Sequence, residues 1–340
     1  MFHELPLAGN LGIFAGAALV VWLAGTRIAG YADAIAQRTG IGRAILGVLL
    51  LGGVTSLPEM AVASTAALAG HPALSVNDVL GSAALNVVII AVADAALGRD
   101  AITSVLASPA VLLQGVLGVA VLAMVAGATM TLDAPLLGAS VWTWLLLLAC
   151  VASISVVAKS RSSRAWQPAQ RPRRQPAAAP AAAGSLRGLA AQTVLAGALV
   201  LVAGFLLART GEALAAQTGL GTSFVGVALL AASTSLPEVS TVLAAVRLRR
   251  YEMAVSDVFG TNLFNVAILF AVDLLYDGGP ALAEAGRFAG FGALLAIVLT
   301  ALYLAGMIER RDRTVLRMGY DSLGVLLAYG AGLLVLYQLR

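Results

Sequence analysis

Long apolar runs separated by short polar stretches dominate the sequence. Ten of these runs come close to or exceed the roughly 20 residues that an α-helix needs to cross a lipid bilayer. They fall at about 9–26, 43–69, 74–97, 108–129 and 136–158, and then at about 188–208, 222–246, 253–275, 286–307 and 319–338. The pattern predicts an all-α polytopic membrane protein with ten transmembrane helices in two groups of five.

The stretch between the two groups has a different composition. It is rich in Arg, Pro, Ala and Ser, and its prolines at 168, 172, 176 and 180 disfavour a stable helix. We therefore predict a five-helix repeat at 1–158, a disordered linker at 159–187 and a second five-helix repeat at 188–340. A regulatory role for the linker is the less favoured alternative.

Composition supports a membrane protein and excludes several other classes. Hydrophobic residues make up 60% of the 340 residues and charged residues 11%, whereas a soluble protein is about one quarter charged. The net charge of +4 does not indicate nucleic-acid binding, because the basic residues lie between the apolar runs. Cys150 is the only cysteine, so one chain can form neither a disulfide nor a thiolate metal site.

The basic residues are distributed unevenly between the two sides of the predicted bundle. With the N-terminus outside, 18 of the 21 Lys and Arg residues fall on the inner side, and only Arg209, Arg287 and Arg340 fall outside. By the positive-inside rule, we expect a multi-pass integral protein of the plasma (cell inner) membrane. Its N-terminus would lie outside and its linker would be cytoplasmic.

The two groups of helices are related by an internal repeat. One constant separation along the chain, here called the repeat separation, relates identical residues of the two halves without insertion or deletion: Thr55 and Thr234, Asp78 and Asp257, Gly81 and Gly260, Asn86 and Asn265, Asp94 and Asp273. Such regularity indicates a duplication. Because each half has an odd number of spans, the second half must enter the membrane in the opposite direction. Inverted repeats place paired sites near the membrane midplane, as in secondary transporters.

A short polar motif, Thr-Ser-Leu-Pro-Glu, interrupts an apolar run in each half. It occupies residues 55–59 and 234–238. A carboxylate in the middle of a membrane costs about 3 kcal/mol or more, so it usually marks a functional site. The neighbouring proline lacks an N–H group and is expected to break the helix, which frees backbone carbonyls to bind an ion. We therefore predict that Glu59 and Glu238 face one buried cavity.

An asparagine follows each glutamate at the same spacing in both halves and should reach a similar depth in the next span. The candidate ligands are all oxygen ligands: Thr55, Ser56, Glu59, Ser82, Asn86, Thr234, Ser235, Glu238, Thr261 and Asn265. Such a set suits hard cations, Ca²⁺ in particular, and disfavours soft transition metals. The two glutamates supply a charge of −2, which one Ca²⁺, two or more Na⁺, or protons would neutralise.

These motifs resemble the alpha repeats of the cation/calcium exchanger superfamily, and the sodium/calcium exchanger branch most closely. The resemblance rests on residues 52–59, 81–86, 231–238 and 260–265. It implies ten helices in two inverted repeats and alternating access, with Glu59 and Glu238 as central Ca²⁺ ligands shared with Na⁺. Thr55 and Thr234 would offer backbone carbonyls to Ca²⁺. Four hydroxyl residues would line Na⁺ sites: Ser56, Ser82, Ser235 and Thr261.

Three positions depart from the family pattern. Ala83 stands where the first repeat usually has Asn, and Gly53-Val54 stands where Gly-Thr is more typical. Asn265 stands where some sodium/calcium exchangers have Asp, which removes one negative charge. These departures leave the stoichiometry, the dependence on K⁺ and the coupling ion open.

We predict a secondary active antiporter, not an enzyme, that exports Ca²⁺ in exchange for Na⁺. The ions would be its substrates and the bilayer its surroundings, with no cofactor, nucleic acid or obligate protein partner. A Ca²⁺/H⁺ exchanger of the same fold is the alternative, and an intramembrane enzyme or a passive channel is less favoured.

Structural roles are the alternatives for single residues. The two glutamates could hydrogen-bond to neighbouring helices, and the two asparagines could join helices. We interpret Asp78 and Asp257 as vestibule or interface residues, and Asp94 and Asp273 as interfacial residues near span ends.

Overall fold

The computed structural model describes residues 2–97, 101–106, 108–159, 185–218, 233–309, 314, 315 and 318–339. The first half contains the 3-10 turn Phe2–Glu4 and helices α1 Leu7–Thr39, α2 Arg43–Leu46, the π-helix Gly47–Gly52, α3 Gly53–Leu68, α4 Pro72–Leu97, α5 Ile102–Val105, α6 Pro109–Ala128 and α7 Val141–Lys159. The second half contains α8 Leu186–Gln217, α9 Leu236–Arg247, α10 Tyr251–Leu275, α11 Ala281–Glu309 and α12 Tyr320–Gln338.

The predicted polytopic helical architecture is confirmed. Within the described residues, nine helical segments are long and apolar enough to cross a membrane, with α2, the π-helix and α3 together forming one of them. The seventh predicted span, 222–246, lies partly outside the described residues, and α9 is its described part. The predicted linker falls almost entirely on residues 160–184, which also lie outside the described residues.

Two helices are longer than the hydropathy pattern predicts. Helices α1 and α8 contain 33 and 32 residues, well beyond the apolar runs at 9–26 and 188–208. Charged side chains near a helix end reach water through their apolar stems, so they do not end the helix. Helix α1 ends instead at Gly40, whose φ of 67° suits glycine and whose N–H donates to the Ala36 carbonyl.

A short β-hairpin precedes the last helix of each half. Pro135–Leu136 pairs with Ala139–Ser140 before α7, and Thr314–Val315 pairs with Met318–Gly319 before α12. The repeat separation that relates the polar motifs also relates the two hairpins. The prediction that a span begins at 136 is therefore wrong, because this apolar stretch first forms the hairpin and α7 begins at Val141.

Helix α10 crosses the centre of the molecule in close contact with the first half. A methyl group on Gly260 would lie 2.6 Å from the Val48 Cα, and one on Gly47 would lie 2.7 Å from the Met253 carbonyl oxygen. The absence of side chains at these positions lets the π-helix lie directly against α10. This contact brings the first polar motif next to Thr261.

Candidate functional site

The first polar motif lies on a helix that does not break. Pro58 sits inside α3, which runs without interruption from Gly53 to Leu68. The irregular backbone lies before the motif, in the π-helix, whose Gly52 carbonyl accepts a hydrogen bond of 2.8 Å from Ser56 Oγ. The predicted break at Pro58 is therefore wrong, although the π-helix Gly47–Gly52 does precede the motif.

The second polar motif does contain the predicted break. Ser235 leaves the helical conformation with φ −87° and ψ 4°, and α9 begins at Leu236 with Pro237 in its first turn. Proline is tolerated there because an N–H group in the first turn has no helical partner. Glu238 therefore also lies in the first turn of α9, where the positive end of the helix dipole favours a negative charge.

All ten predicted site residues are buried. None of their side chains exceeds 3% exposure, and both glutamates are at 0%. The first half contributes Thr55, Ser56, Glu59, Ser82 and Asn86, and the second contributes Thr234, Ser235, Glu238, Thr261 and Asn265. Burial of this many polar side chains in so apolar a bundle needs a compensating partner.

Many polar atoms of the site have no such partner among the described residues. Neither carboxylate oxygen of Glu59 or Glu238 accepts a hydrogen bond of good geometry, and both side-chain polar atoms of Asn265 are unpartnered. The same holds for the Ser82 and Ser235 hydroxyls and for the Asn86 carbonyl oxygen. Buried polar groups are normally satisfied, and the predicted site residues account for most of the exceptions in the described part of the chain.

The two motifs meet at one place. The carboxyl groups of Glu59 and Glu238 lie close enough to interact directly, and Thr55 of the first motif lies beside Glu238 of the second. Thr55 Oγ1 is 3.1 Å from Thr261 Oγ1, so the first motif also contacts α10. The two glutamates therefore lie together, and that they face one cavity stays a prediction.

Residues at equivalent positions of the two halves touch at the centre of the site. Asn262 Nδ2 donates to the Ala83 carbonyl at 3.0 Å, and Asn86 Nδ2 donates to Asn262 Oδ1 at 3.2 Å. Ala83 and Asn262 are themselves related by the repeat separation. Asn262 therefore joins α10 to α4 and holds Asn86 in place, a role that the sequence alone did not assign.

A second pair of carboxylates flanks the glutamates. Asp257 is fully buried, accepts a hydrogen bond of 2.5 Å from Thr241 Oγ1 and interacts with the charge of Glu238. Asp78, its equivalent in the first half, interacts with the charge of Glu59. Both aspartates thus neighbour the glutamates, whereas our sequence interpretation placed them in a vestibule or interface.

The two buried glutamates lie side by side and are costly to ionise together. Two carboxylates that are buried side by side without well-placed hydrogen-bond donors repel each other when both are ionised, and a cation relieves both the repulsion and the loss of hydration. Among the described residues, no group of three or more His, Cys, Asp and Glu side chains could hold a metal ion. The predicted site residues themselves offer carboxylate, hydroxyl and amide oxygens, the ligand types that hard cations prefer.

A helical bundle of membrane-spanning length with a buried acidic pocket at its centre defines a protein of the ion-transporter class. The family model described as sodium/calcium exchanger protein matches residues 9–99 and 188–339. The chain belongs to this family, whose ions are transported substrates rather than cofactors.

The chain is similar to other proteins, among them two relatives and a solved exchanger structure. The protein named "Putative antiporter CaxA" from Alkalimonas amylolytica is 26% identical, with 90% of this chain and 93% of that protein covered. Inner membrane protein YrbG of Escherichia coli is 28% identical, with 78% and 79% covered. The sodium-calcium exchanger NCX_Mj, soaked with Na⁺ and Sr²⁺, shares the fold with a TM-score of 0.72 at 16% identity, with 96% and 98% covered.

Proposed function

We propose that this protein exports Ca²⁺ from the cell in exchange for Na⁺ by alternating access. The observation that supports this most directly is the pair of buried glutamates, one from each half, whose carboxylate oxygens accept no well-formed hydrogen bond from the described residues. Carboxylates at this depth need cations or protons to neutralise them. The family assignment adds that cation exchange is the activity to expect.

Each predicted ligand has a role in this proposal. Glu59 and Glu238 bind Ca²⁺ and, in its absence, share Na⁺, since one Ca²⁺ or two Na⁺ would neutralise their charge of −2. The backbone carbonyls of Thr55 and Thr234 and the amides of Asn86 and Asn265 complete an oxygen shell of the irregular kind that Ca²⁺ accepts. The hydroxyls line the Na⁺ sites, and they belong to Ser56, Ser82, Ser235 and Thr261.

Mutually exclusive occupancy of one pocket is what makes the transport an exchange. A pocket that binds Ca²⁺ or Na⁺, but not both fully, carries one ion in each direction when it opens alternately to the two faces. Two halves inserted in opposite directions would give such a pocket two related exits. In this proposal the N-terminus is outside, the segment between the halves is cytoplasmic and the membrane is the plasma (cell inner) membrane.

Calcium-45 uptake into proteoliposomes loaded with Na⁺ tests the proposal. We expect dilution into Na⁺-free buffer to drive uptake well above that of vesicles with equal Na⁺ on both sides. The control imposes a pH gradient at equal Na⁺ concentrations. If only the pH gradient drives uptake, the protein is a Ca²⁺/H⁺ exchanger instead, because glutamates that bind Ca²⁺ also bind protons.

A third outcome would exclude antiport altogether. Ca²⁺ movement that follows its own gradient, regardless of any counter-ion, would identify a passive channel. Current across a planar bilayer without any counter-ion separates this case from exchange, because a channel passes current when no counter-ion is present on the opposite side.

A further inference from the structure

Asp94 near the end of α4 makes three hydrogen bonds. Its Oδ1 accepts from the Ile102 N–H at 2.7 Å, within the first half. Its Oδ2 accepts from the Gly319 N–H at 2.7 Å and from Ser322 Oγ at 2.6 Å, both at the start of the last helix of the second half. Asp94 is 1% exposed, so it is a buried connection between the halves.

Asp273 near the end of α10 makes the same three bonds with the halves exchanged. Its Oδ1 accepts from the Ala281 N–H at 2.7 Å, within the second half. Its Oδ2 accepts from the Ser140 N–H at 2.5 Å and from Thr143 Oγ1 at 2.7 Å, both at the start of the last helix of the first half. Asp273 is 2% exposed.

The two sets correspond donor by donor. The repeat separation relates each donor to Asp94 with the matching donor to Asp273: Ile102 and Ala281, Gly319 and Ser140, Ser322 and Thr143. Each aspartate therefore holds the hairpin and helix start that belong to the other half. Charge-assisted bonds from two N–H groups and a hydroxyl are strong and geometrically specific, and the N-terminus of the held helix also favours the negative charge.

The helices that carry these aspartates also carry the site. Helix α4 contains Ser82 and Asn86, and α10 contains Thr261 and Asn265. Fixing the ends of α4 and α10 to the last helices therefore fixes the relative position of ligands from the two halves. Neither aspartate belongs to the pocket itself, and the ion chemistry proposed above does not use them.

We propose that Asp94 and Asp273 are a pair of positioning residues, here called the reciprocal braces, that hold α4 to α12 and α10 to α7 and stay closed throughout transport. The transport readouts rest on the proposed function, but the contacts do not. With the halves inserted in opposite directions, one brace lies at each membrane face. Each brace would then keep the two halves aligned while the pocket changes its exit.

A crosslinking map tests the contacts between the two halves without any transport assay. In a Cys150→Ala background with a protease site between residues 160 and 184, we expect a short bifunctional thiol reagent to link Asp94→Cys to Ser322→Cys and Asp273→Cys to Thr143→Cys. The halves would then stay together on a denaturing gel after cleavage. The control pair Thr143→Cys and Ser322→Cys takes one partner from each aspartate's contacts and one residue from each half, so it should not hold the halves together, and failure of either aspartate pair to link would overturn the proposed contacts.

Ion-flux measurements on variants of the two aspartates test whether the braces stay closed. We expect Asp94→Asn and Asp273→Asn each to lower the maximal exchange rate about tenfold, while Asp277→Asn, an exposed carboxylate near Asp273, leaves it unchanged. Crosslinking the Asp94→Cys and Ser322→Cys pair should restore most of the rate. A folded, crosslinked protein without exchange would show that the brace must open, and full activity of both Asn variants would also overturn the proposal.

Milder variants keep the test informative if the Asn variants fail to fold. Ser322→Ala and Thr143→Ala each remove one hydroxyl donor and leave both N–H donors in place, so we expect a loss of about threefold in rate. Unchanged exchange rates in both variants would contradict the positioning role of the two aspartates. If the unmodified protein exchanges no cation at all, the proposed function fails, whereas the crosslinking map still decides the contacts.

Discussion

The same five residues take two different backbone conformations in the two halves. In the first half, Thr-Ser-Leu-Pro-Glu lies within continuous helix α3, after the π-helix Gly47–Gly52. In the second half the helix is interrupted at Ser235 and restarts with Pro237 in its first turn. Yet both motifs bring a fully buried glutamate to the same pocket. The motif therefore specifies the chemistry of the site, while packing decides how the chain accommodates its proline.

The first helices of the two halves carry equivalent acidic residues in different surroundings. Asp33 in α1 accepts hydrogen bonds from Arg43 at 3.0 Å and Arg250 at 2.6 Å, and Arg250 is only 5% exposed. The residue of α8 that is equivalent to Asp33 is Glu212. The Glu212 side chain is half exposed and pairs with Arg209 at 3.3 Å. Equivalent acids thus form a buried bridge in one half and a surface pair in the other. The two ends of the molecule differ in how tightly the first helix is tied to the core.

The largest effect should come from the glutamates, where the two halves are expected to behave alike. We predict that Glu59→Gln and Glu238→Gln each lower exchange by about 100-fold or more, because each removes half of the charge that binds Ca²⁺. Calcium-45 flux in proteoliposomes measures this, with Glu212→Gln as the exposed control. Substantial flux in either variant would show that the halves contribute unequally.

The same variants should become more stable without ions. Replacing one of two adjacent buried carboxylates by an amide removes their repulsion, so we expect the free energy of unfolding in ion-free detergent to rise by about 1 kcal/mol or more. Thermal unfolding with a chelator present measures this. A clear decrease would mean that the glutamates hold helices together through hydrogen bonds rather than bind ions.

The largest loss of stability should separate the two ion pairs. We predict that Arg250→Gln lowers the free energy of unfolding by about 3 kcal/mol, because it leaves the Asp33 charge buried with only Arg43 as a charged partner. Arg209→Gln removes the matching surface pair and should cost less than about 0.5 kcal/mol. Thermal unfolding in the same detergent compares them. Equal losses of unfolding free energy would mean that the buried ion pair contributes no more stability than the surface pair.

The sequence predicted the parts of this structure that depend on local pattern. Spans follow from apolar length, and the ten site residues follow from motifs that recur at a fixed separation. All ten are buried, and Thr55 of the first half contacts Thr261 of the second. Their ligand roles remain predictions. The hairpins before α7 and α12 were missed because such short strands leave no periodicity to detect.

Contacts between residues far apart along the chain could not be predicted from the sequence, for a different reason. Asp94 and Gly319 are 225 residues apart, and Asp33 and Arg250 are 217 apart. Nothing in the pattern around an aspartate near the end of a span shows which distant group it meets. The break at Pro58 was predicted from a sound local rule, but α3 continues through Pro58 to Leu68. A proline signal therefore predicts a lost hydrogen bond more reliably than an interrupted helix.

A smaller effect should distinguish two equivalent glycines. Gly204 in α8 faces Pro58, and an added methyl group would lie 2.5 Å from the proline Cγ, which cannot rotate away. Gly25 in α1 faces the Ser240 hydroxyl, which can rotate if it gives up its 2.7 Å bond to the Pro237 carbonyl. We predict losses in unfolding free energy of about 2 kcal/mol for Gly204→Ala and about 1 kcal/mol for Gly25→Ala. Thermal unfolding of the two variants shows which substitution costs more stability, and a larger loss for Gly25→Ala would contradict the prediction.

The smallest effect should come from the pair of equivalent positions that differ in chemistry, Ala83 and Asn262. Asn262→Ala removes the amide that joins α10 to the Ala83 carbonyl and holds Asn86. Hydrogen bonds between membrane helices contribute roughly 0.6 kcal/mol each on average, so the variant should stay folded and lose about 1 kcal/mol of stability. Because Asn86 loses a partner that orients it, we expect the concentration of Ca²⁺ at half-maximal exchange to rise several-fold while the maximal rate changes little. An unchanged half-maximal Ca²⁺ concentration in the folded Asn262→Ala variant would show that Asn262 does not orient Asn86 for ion binding.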